Sequence, residues 1–201
     1  MKIAIIVEGK AERVFAPVLK SFLPKRLKEI PNLDFVPQDG RIPKGDKLKR
    51  VVGNLLGGRA AADHVIAVTD VYTGTEEFVD AADAKAKMRK WVGDDPRFHP
   101  HAAQYDFEAW LLPYWKTIQK IAGHNKTSPG SNPELVNHNK PPSHHIREIF
   151  EAGECKRSYV KPRDAKKILE SQDLMDAIQK CPEFKALVNT ILELSGGKPI
   201  P

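Results

Sequence analysis

The sequence predicts an α/β fold with a largely parallel sheet covered by helices. Two continuous apolar runs, over residues 2–7 and 64–69, have the length and β-branched content of strands buried on both faces. Amphipathic patterns with helical spacing follow each of them. Strand and helix signals alternate through the first half of the chain, as βαβ units require.

The first run, KIAIIV, ends at Glu8-Gly9, and Val14, Phe15, Val18, Leu19, Phe22 and Leu23 then form one apolar stripe that Pro24 stops. Residues 33–36, between Pro31 and Pro37, read as a weaker strand. A second amphipathic helix spans 47–56, with Leu48, Val51, Val52, Leu55 and Leu56 inward and Gly57-Gly58 as its stop. HVIAVT over 64–69 is the second buried strand and ends at Asp70. Residues 76–92 read as a helix, and 98–104 as a short strand leading through Asp106 and Glu108 into a helix with Ala109, Leu111, Leu112 and Trp115.

This α/β core is expected over residues 1–121. A stretch rich in Pro, Asn, His, Ser and Lys, 122–145, reads as a polar surface loop in which Glu134 should be inert. Residues 146–201 carry only helical signals and are expected to pack on the core as an extension of a single domain; Pro182 opens the last helix.

The chain has 201 residues, 32 Lys+Arg against 26 Asp+Glu, and a net charge of +6. That length suffices for a substantial core. No apolar run approaches a bilayer span, and Met1-Lys2 runs straight into a strand, leaving no room for a signal peptide. With only Cys155 and Cys181, no disulfide framework is expected and a reducing cytoplasm is the default. The positive excess is compatible with a polyanion partner, and equally with plain solubility.

Each of the three best strands delivers an acid at its carboxyl end: Glu8 from the first, Asp70 from the second, Asp106 and Glu108 from the third, with Glu12 one turn beyond Glu8. Ligands of open α/β sheets bind at that edge, so these carboxylates should converge. Gathered carboxylates repel unless a cation sits among them, and oxygen donors suit Mg²⁺ first, then Mn²⁺ or Ca²⁺. Such an ion serves phosphoryl transfer and phosphodiester hydrolysis. Taken singly, Glu12 reads equally as a first-turn helix charge and Asp106 as an N-cap.

Glu8-Gly9-Lys10-Ala11-Glu12 resembles the EGxxE motif that opens TOPRIM domains, found in topoisomerases, primases and nucleases of the overcoming-lysogenisation-defect type. The chain is more similar to a bacterial family of TOPRIM-like proteins of unknown function, often encoded near ATPases in phage-defence loci. Asp70-Val71-Tyr72 has that family's D-x-Y form, and Tyr105-Asp106-Phe107-Glu108-Ala109-Trp110-Leu111 resembles its next motif. Tyr159-Val160-Lys161-Pro162 and Cys181-Pro182-Glu183-Phe184 resemble its C-terminal pattern, so the likeness spans nearly the whole chain.

The resemblance implies a TOPRIM-like fold and a Mg²⁺- or Mn²⁺-dependent nuclease acting on foreign nucleic acid, DNA more than RNA. Glu8, Asp70 and Glu108 would be catalytic; Glu8, Glu12, Asp70, Asp106 and Glu108 would supply metal ligands. Tyr72 replaces the second aspartate of the wider pattern, which puts a two-metal mechanism in doubt. A catalytically inactive binding or regulatory subunit, working with an ATPase partner, is the alternative it favours.

Basic residues gather at Arg41, Lys44, Lys47, Lys49 and Arg50, and again at Lys156, Arg157, Lys161, Arg163, Lys166 and Lys167. Lys10, Lys44, Lys47, Lys161 and Lys167 are the candidate phosphate contacts, and each cluster alone reads as readily as a solvated helix face. The seven histidines, His138 among them, have no cysteine at zinc-site spacing. GxSxG and GxxxxGK[ST] are both absent, so neither a hydrolase elbow nor an ATPase loop is indicated.

Overall fold

The computed structural model describes residues 1–9, 12–72, 77–137 and 139–201. Four parallel strands form the sheet: β1 (Lys2–Val7), β2 (Asn32–Pro37), β3 (His64–Asp70) and β4 (Phe98–Ala103), in the order β2-β1-β3-β4. Between them run α1 (Phe15–Phe22), α2 (Asp46–Gly57) and α3 (Ala81–Val92). The chain steps from β1 outward to β2, then crosses back past β1 to β3 and on to β4. The direction of winding therefore reverses between β1 and β3, and their carboxyl ends flank the crevice where such sheets take ligands.

Alternation along the strands divides the core. Ile3, Ile5 and Val7 of β1 with Ile66 and Val68 of β3 face one apolar layer, shared with Phe15 and Leu19 of α1. Ala4, Ile6, Val65 and Ala67 face the other, against Leu48 and Val52 of α2 and Met88 of α3. This two-sided burial explains why both strands read as unbroken apolar runs.

After β4 a 3₁₀ helix (Phe107–Tyr114) leads directly into α4 (Trp115–Ala122), which Gly123 ends at φ 68. The helix expected to carry Ala109, Leu111, Leu112 and Trp115 is thus half 3₁₀: Pro113 has no N–H for the ladder, and nearly every side chain from Phe107 to Tyr114 is buried. Among the described residues a 3₁₀ turn (Pro133–Leu135) and four α-helices follow, α5 (Pro142–Ala152), α6 (Lys161–Leu169), α7 (Leu174–Lys180) and α8 (Pro182–Leu194). Ile149, Phe150, Ile168, Phe184 and Ile191 from this stretch join the same apolar layer as β1 and α1.

Two further expectations are corrected. The helix expected from residue 76 begins at Ala81, where the Asp80 carboxylate accepts from the Asp83 N–H; Glu76 itself lies outside the described residues. The polar stretch 122–145 is not all surface, since Val136 is buried and Glu134 is 5% exposed. Glu134 accepts from Trp110 Nε1 at 3.0 Å, from the Glu183 N–H at 3.0 Å and from the Phe184 N–H at 3.4 Å. It caps α8 from a 3₁₀ turn about fifty residues away, where Cys181 and Pro182 offer no capping side chain. Among the described residues, no helix is long and apolar enough to cross a membrane.

Candidate active site

Glu8 follows the last residue of β1, and continuing the β1/β3 register sets it beside Thr69. Its Oε1 accepts from Thr69 Oγ1 at 2.7 Å and from the Asp70 N–H at 3.1 Å; its Oε2 accepts from the Tyr72 hydroxyl at 2.5 Å. Glu8 is 5% exposed, and burial raises its carboxyl despite these three donors, with Glu12 adding to the rise. Glu12 folds back so that its Oε2 accepts from the Gly9 N–H at 3.1 Å, binding the turn that leaves β1.

Asp70 closes β3 and is held by pairing with Ala103. Its carboxyl is raised well above the ordinary aspartate range, first by burial and then by the negative charges of Glu8, Asp106, Glu108 and Glu12. The negative charges of the other four acids thus all bear on Asp70 at the carboxyl end of β3. Sharp redirection after β4 contributes: Tyr105 adopts φ 72, a conformation unfavourable for a side chain of that size.

Asp106 stands at the N-cap position of the 3₁₀ helix, but its side chain makes no capping bond there. Its Oδ2 instead accepts from the Ser143 N–H at the start of α5, 3.2 Å away, and its Oδ1 is buried without a hydrogen-bond partner. Burial raises its carboxyl, against the lowering influence of Ser143 and Lys161. Glu108 is wholly buried, and burial followed by the charge of Asp106 pushes it up to about 8 although Lys161 opposes the shift. Lys161 Nζ lies 3.0 Å from both Glu108 oxygens. Burial of Lys161 works against its charge, but Glu108, Asp106 and Asp70 outweigh it and raise the amine. The buried Tyr159 hydroxyl also faces this group.

Buried oxygen donors of one charge, including the orphaned Asp106 Oδ1, fit a hard divalent cation in chemistry. The arrangement is not a ready-made cage. Among the described residues no three His, Cys, Asp or Glu side chains stand close enough to hold an ion, and Lys161 lies against Glu108.

Of the candidate phosphate contacts, Lys47 and Lys167 are exposed on α2 and α6. Lys44 pairs with Glu77 at 2.6 Å, and Arg41 pairs with the same carboxylate at 2.6 Å while its guanidinium covers the Tyr72 ring. Lys161 belongs to the acidic group, and Lys10 lies outside the described residues, as does His138. Arg157 and Arg163 of the second basic stretch both pair with the buried Asp164.

Residues 7–192 match the family described as a domain of unknown function, DUF4276. The chain belongs to that family. No curated protein matches this DUF4276 chain. Among solved structures, the C-terminal region of the Burkholderia pseudomallei OLD protein is similar, with a TM-score of 0.55 at 13% identity over 96% of this chain and 98% of that one. At such identity the likeness is one of fold.

Sequence reasoning missed Ser143, whose backbone ties α5 to Asp106, and the Thr69 and Tyr72 hydroxyls that hold Glu8. Thr69 was legible in principle, since parallel pairing of the two strands sets it beside Glu8. Nothing in the spacing of Ser143 points to Asp106.

Proposed function

We propose that the protein is a Mg²⁺-dependent nuclease, or a closely related phosphodiester-processing enzyme, acting in the cytoplasm on foreign nucleic acid, DNA more than RNA. The observation that carries this reading is the buried carboxylate group around Asp70, whose members repel one another without a cation. Glu8, Glu12, Asp70, Asp106 and Glu108 would supply the ion's oxygens, and they would have to draw closer than they now stand to do so. A Mg²⁺ or Mn²⁺ bound there would polarise a phosphoryl oxygen and offset charge developing on it. Glu8, its carboxyl already raised, would move a proton. Lys161 would hold a non-bridging phosphate oxygen beside Glu108, while Lys47, Lys167 and the remaining basic residues, Lys10 and Lys44, would neutralise flanking phosphates. A role in phage defence follows from the TOPRIM-like resemblance, which the similarity of fold to the OLD region supports.

A second reading, a non-catalytic regulatory subunit with an ATPase partner, has its own observation. Tyr72 and Lys161 occupy carboxylate oxygens that an ion would need. Incubation of the purified protein with plasmid, single-stranded DNA and RNA tests both. Cleavage that requires Mg²⁺ or Mn²⁺ and stops with chelator supports the enzyme; no cleavage, alone or with a cognate ATPase, supports the subunit.

A further inference from the structure

A second charged cluster lies along α5, outside the acidic group. Glu148 Oε2 accepts from Lys126 Nζ at 2.7 Å, and its Oε1 accepts from Lys140 Nζ at 2.8 Å. His144 Nε2 lies 3.1 Å from the same Oε1, and His145 Nδ1 is 3.9 Å from Oε2. The lysines come from different stretches of chain, one before and one within the turn that enters α5. Glu148 draws them together but supplies one negative charge for two ammonium groups. Arg147 and Glu151, both exposed on the same helix, offset each other, so the two lysines against Glu148 leave one surplus positive charge.

The position of this cluster gives its surplus charge a direction. The first turn of α5 touches the acidic group through Ser143 N–H and Asp106. Glu148 is five residues further along, roughly 7.5 Å in axial rise and about 140° around the helix from Ser143. Successive phosphates of one duplex strand advance about 3.4 Å along the axis, so that offset corresponds to about two nucleotides. Lys126 and Lys140 remain partly open to solvent, with side chains 38% and 50% exposed. Ammonium groups fixed in place by a carboxylate lose less freedom on meeting a phosphate than free surface lysines do.

We infer that Lys126, Lys140 and His144, organised by Glu148, form a docking point for the sugar-phosphate backbone a short step from the acidic cluster. This rests on the nuclease reading and extends it by assigning α5 as the wall along which the strand runs.

The test is binding of a labelled oligonucleotide, single- and double-stranded, by fluorescence anisotropy across a salt series in chelator, so that no cleavage is required. The Lys126→Ala/Lys140→Ala variant should lose roughly 1.4 units of log–log salt slope on single strands and about 1.8 on duplex. Glu148→Gln should bind more tightly at low salt, because the lysines are then uncompensated. Lys25→Ala/Lys28→Ala, in the connection before β2 at the opposite edge of the sheet, should keep the wild-type slope. Circular dichroism checks the fold; should the double variant fail to fold, Lys140→Glu alone, at an exposed position, must still reduce the slope. A wild-type slope in the folded lysine variants, with cleavage unimpaired, overturns the inference and leaves the nuclease reading standing. Absence of salt-sensitive binding by the wild type overturns both.

Discussion

The Tyr72 hydroxyl donates to Glu8 Oε2 at 2.5 Å, while Thr69 and the Asp70 N–H hold the other oxygen. Tyr72 is thus a donor to the first acid. A second carboxylate there would repel Glu8, whereas a phenol helps to keep it ionised. Arg41 over the Tyr72 ring, 4.6 Å from its centre, fixes the ring that carries this bond.

Tyr72→Phe should therefore raise Glu8 further, since it removes a charge-favouring bond worth about 1.5–3 kcal/mol. The acid limb of the pH–cleavage profile should move to higher pH. An unmoved limb would show that Glu8 is not the group titrating in it.

Glu134→Gln should destabilise the fold by about 1–3 kcal/mol in a urea titration. A glutamine has one acceptor oxygen for the Trp110, Glu183 and Phe184 N–H groups, and its own amide would meet donors. Loss of the negative charge at the α8 N-terminus adds to the cost. Stability equal to wild type would mean that water replaces these bonds.

Glu134 also marks the limit of what the chain reveals before it folds. The sheet was legible because β1 and β3 are buried on both faces, and periodicity reports burial directly. The acids were legible because parallel strands end on one edge, so Glu8 and Asp70 needed no tertiary knowledge. Glu134, Ser143 and the Lys161–Glu108 pair depend on how the helices after residue 141 dock against the 3₁₀ segment. No local pattern encodes that docking. A loop acid among Pro, Asn and Ser has the composition of a solvated turn whether or not a distant helix ends upon it.

The raised carboxyls should make the metal-free protein less stable as pH rises from 7 to 8.5. Glu108 has a folded value of about 8 against 4.5 for the ordinary glutamate, so its contribution is complete below 4.5 and fades as pH climbs through 8. That single group should lower stability by about 1 kcal/mol over the window. His99 and His101, which burial pushes down to about 4 and about 3, act in the opposite sense but only below about 6.5. Thermal melts in chelator should fall from pH 7 to 8.5, and Mg²⁺ should recover more of the loss at the higher pH. A flat profile with no response to Mg²⁺ would argue that Lys161 alone satisfies the cluster.

Glu8→Gln and Asp70→Asn separate enzyme from lost enzyme. Each keeps the size of the side chain and removes a charge that a divalent cation would use. Cleavage should fall by about 10²–10³ in either variant, the usual effect of losing a preorganised charge contact in the transition state. Asp70→Asn should at the same time stabilise the metal-free fold at pH 8.5, because Asp70 is the acid on which Glu8, Asp106, Glu108 and Glu12 all press. These two readouts fail independently. Lost cleavage with a stabilised fold is the signature of a catalytic acid held under repulsion. Unchanged trace cleavage with a stabilised fold would make the cluster a structural cation site, and the regulatory-subunit reading would then account for Tyr72 and Lys161.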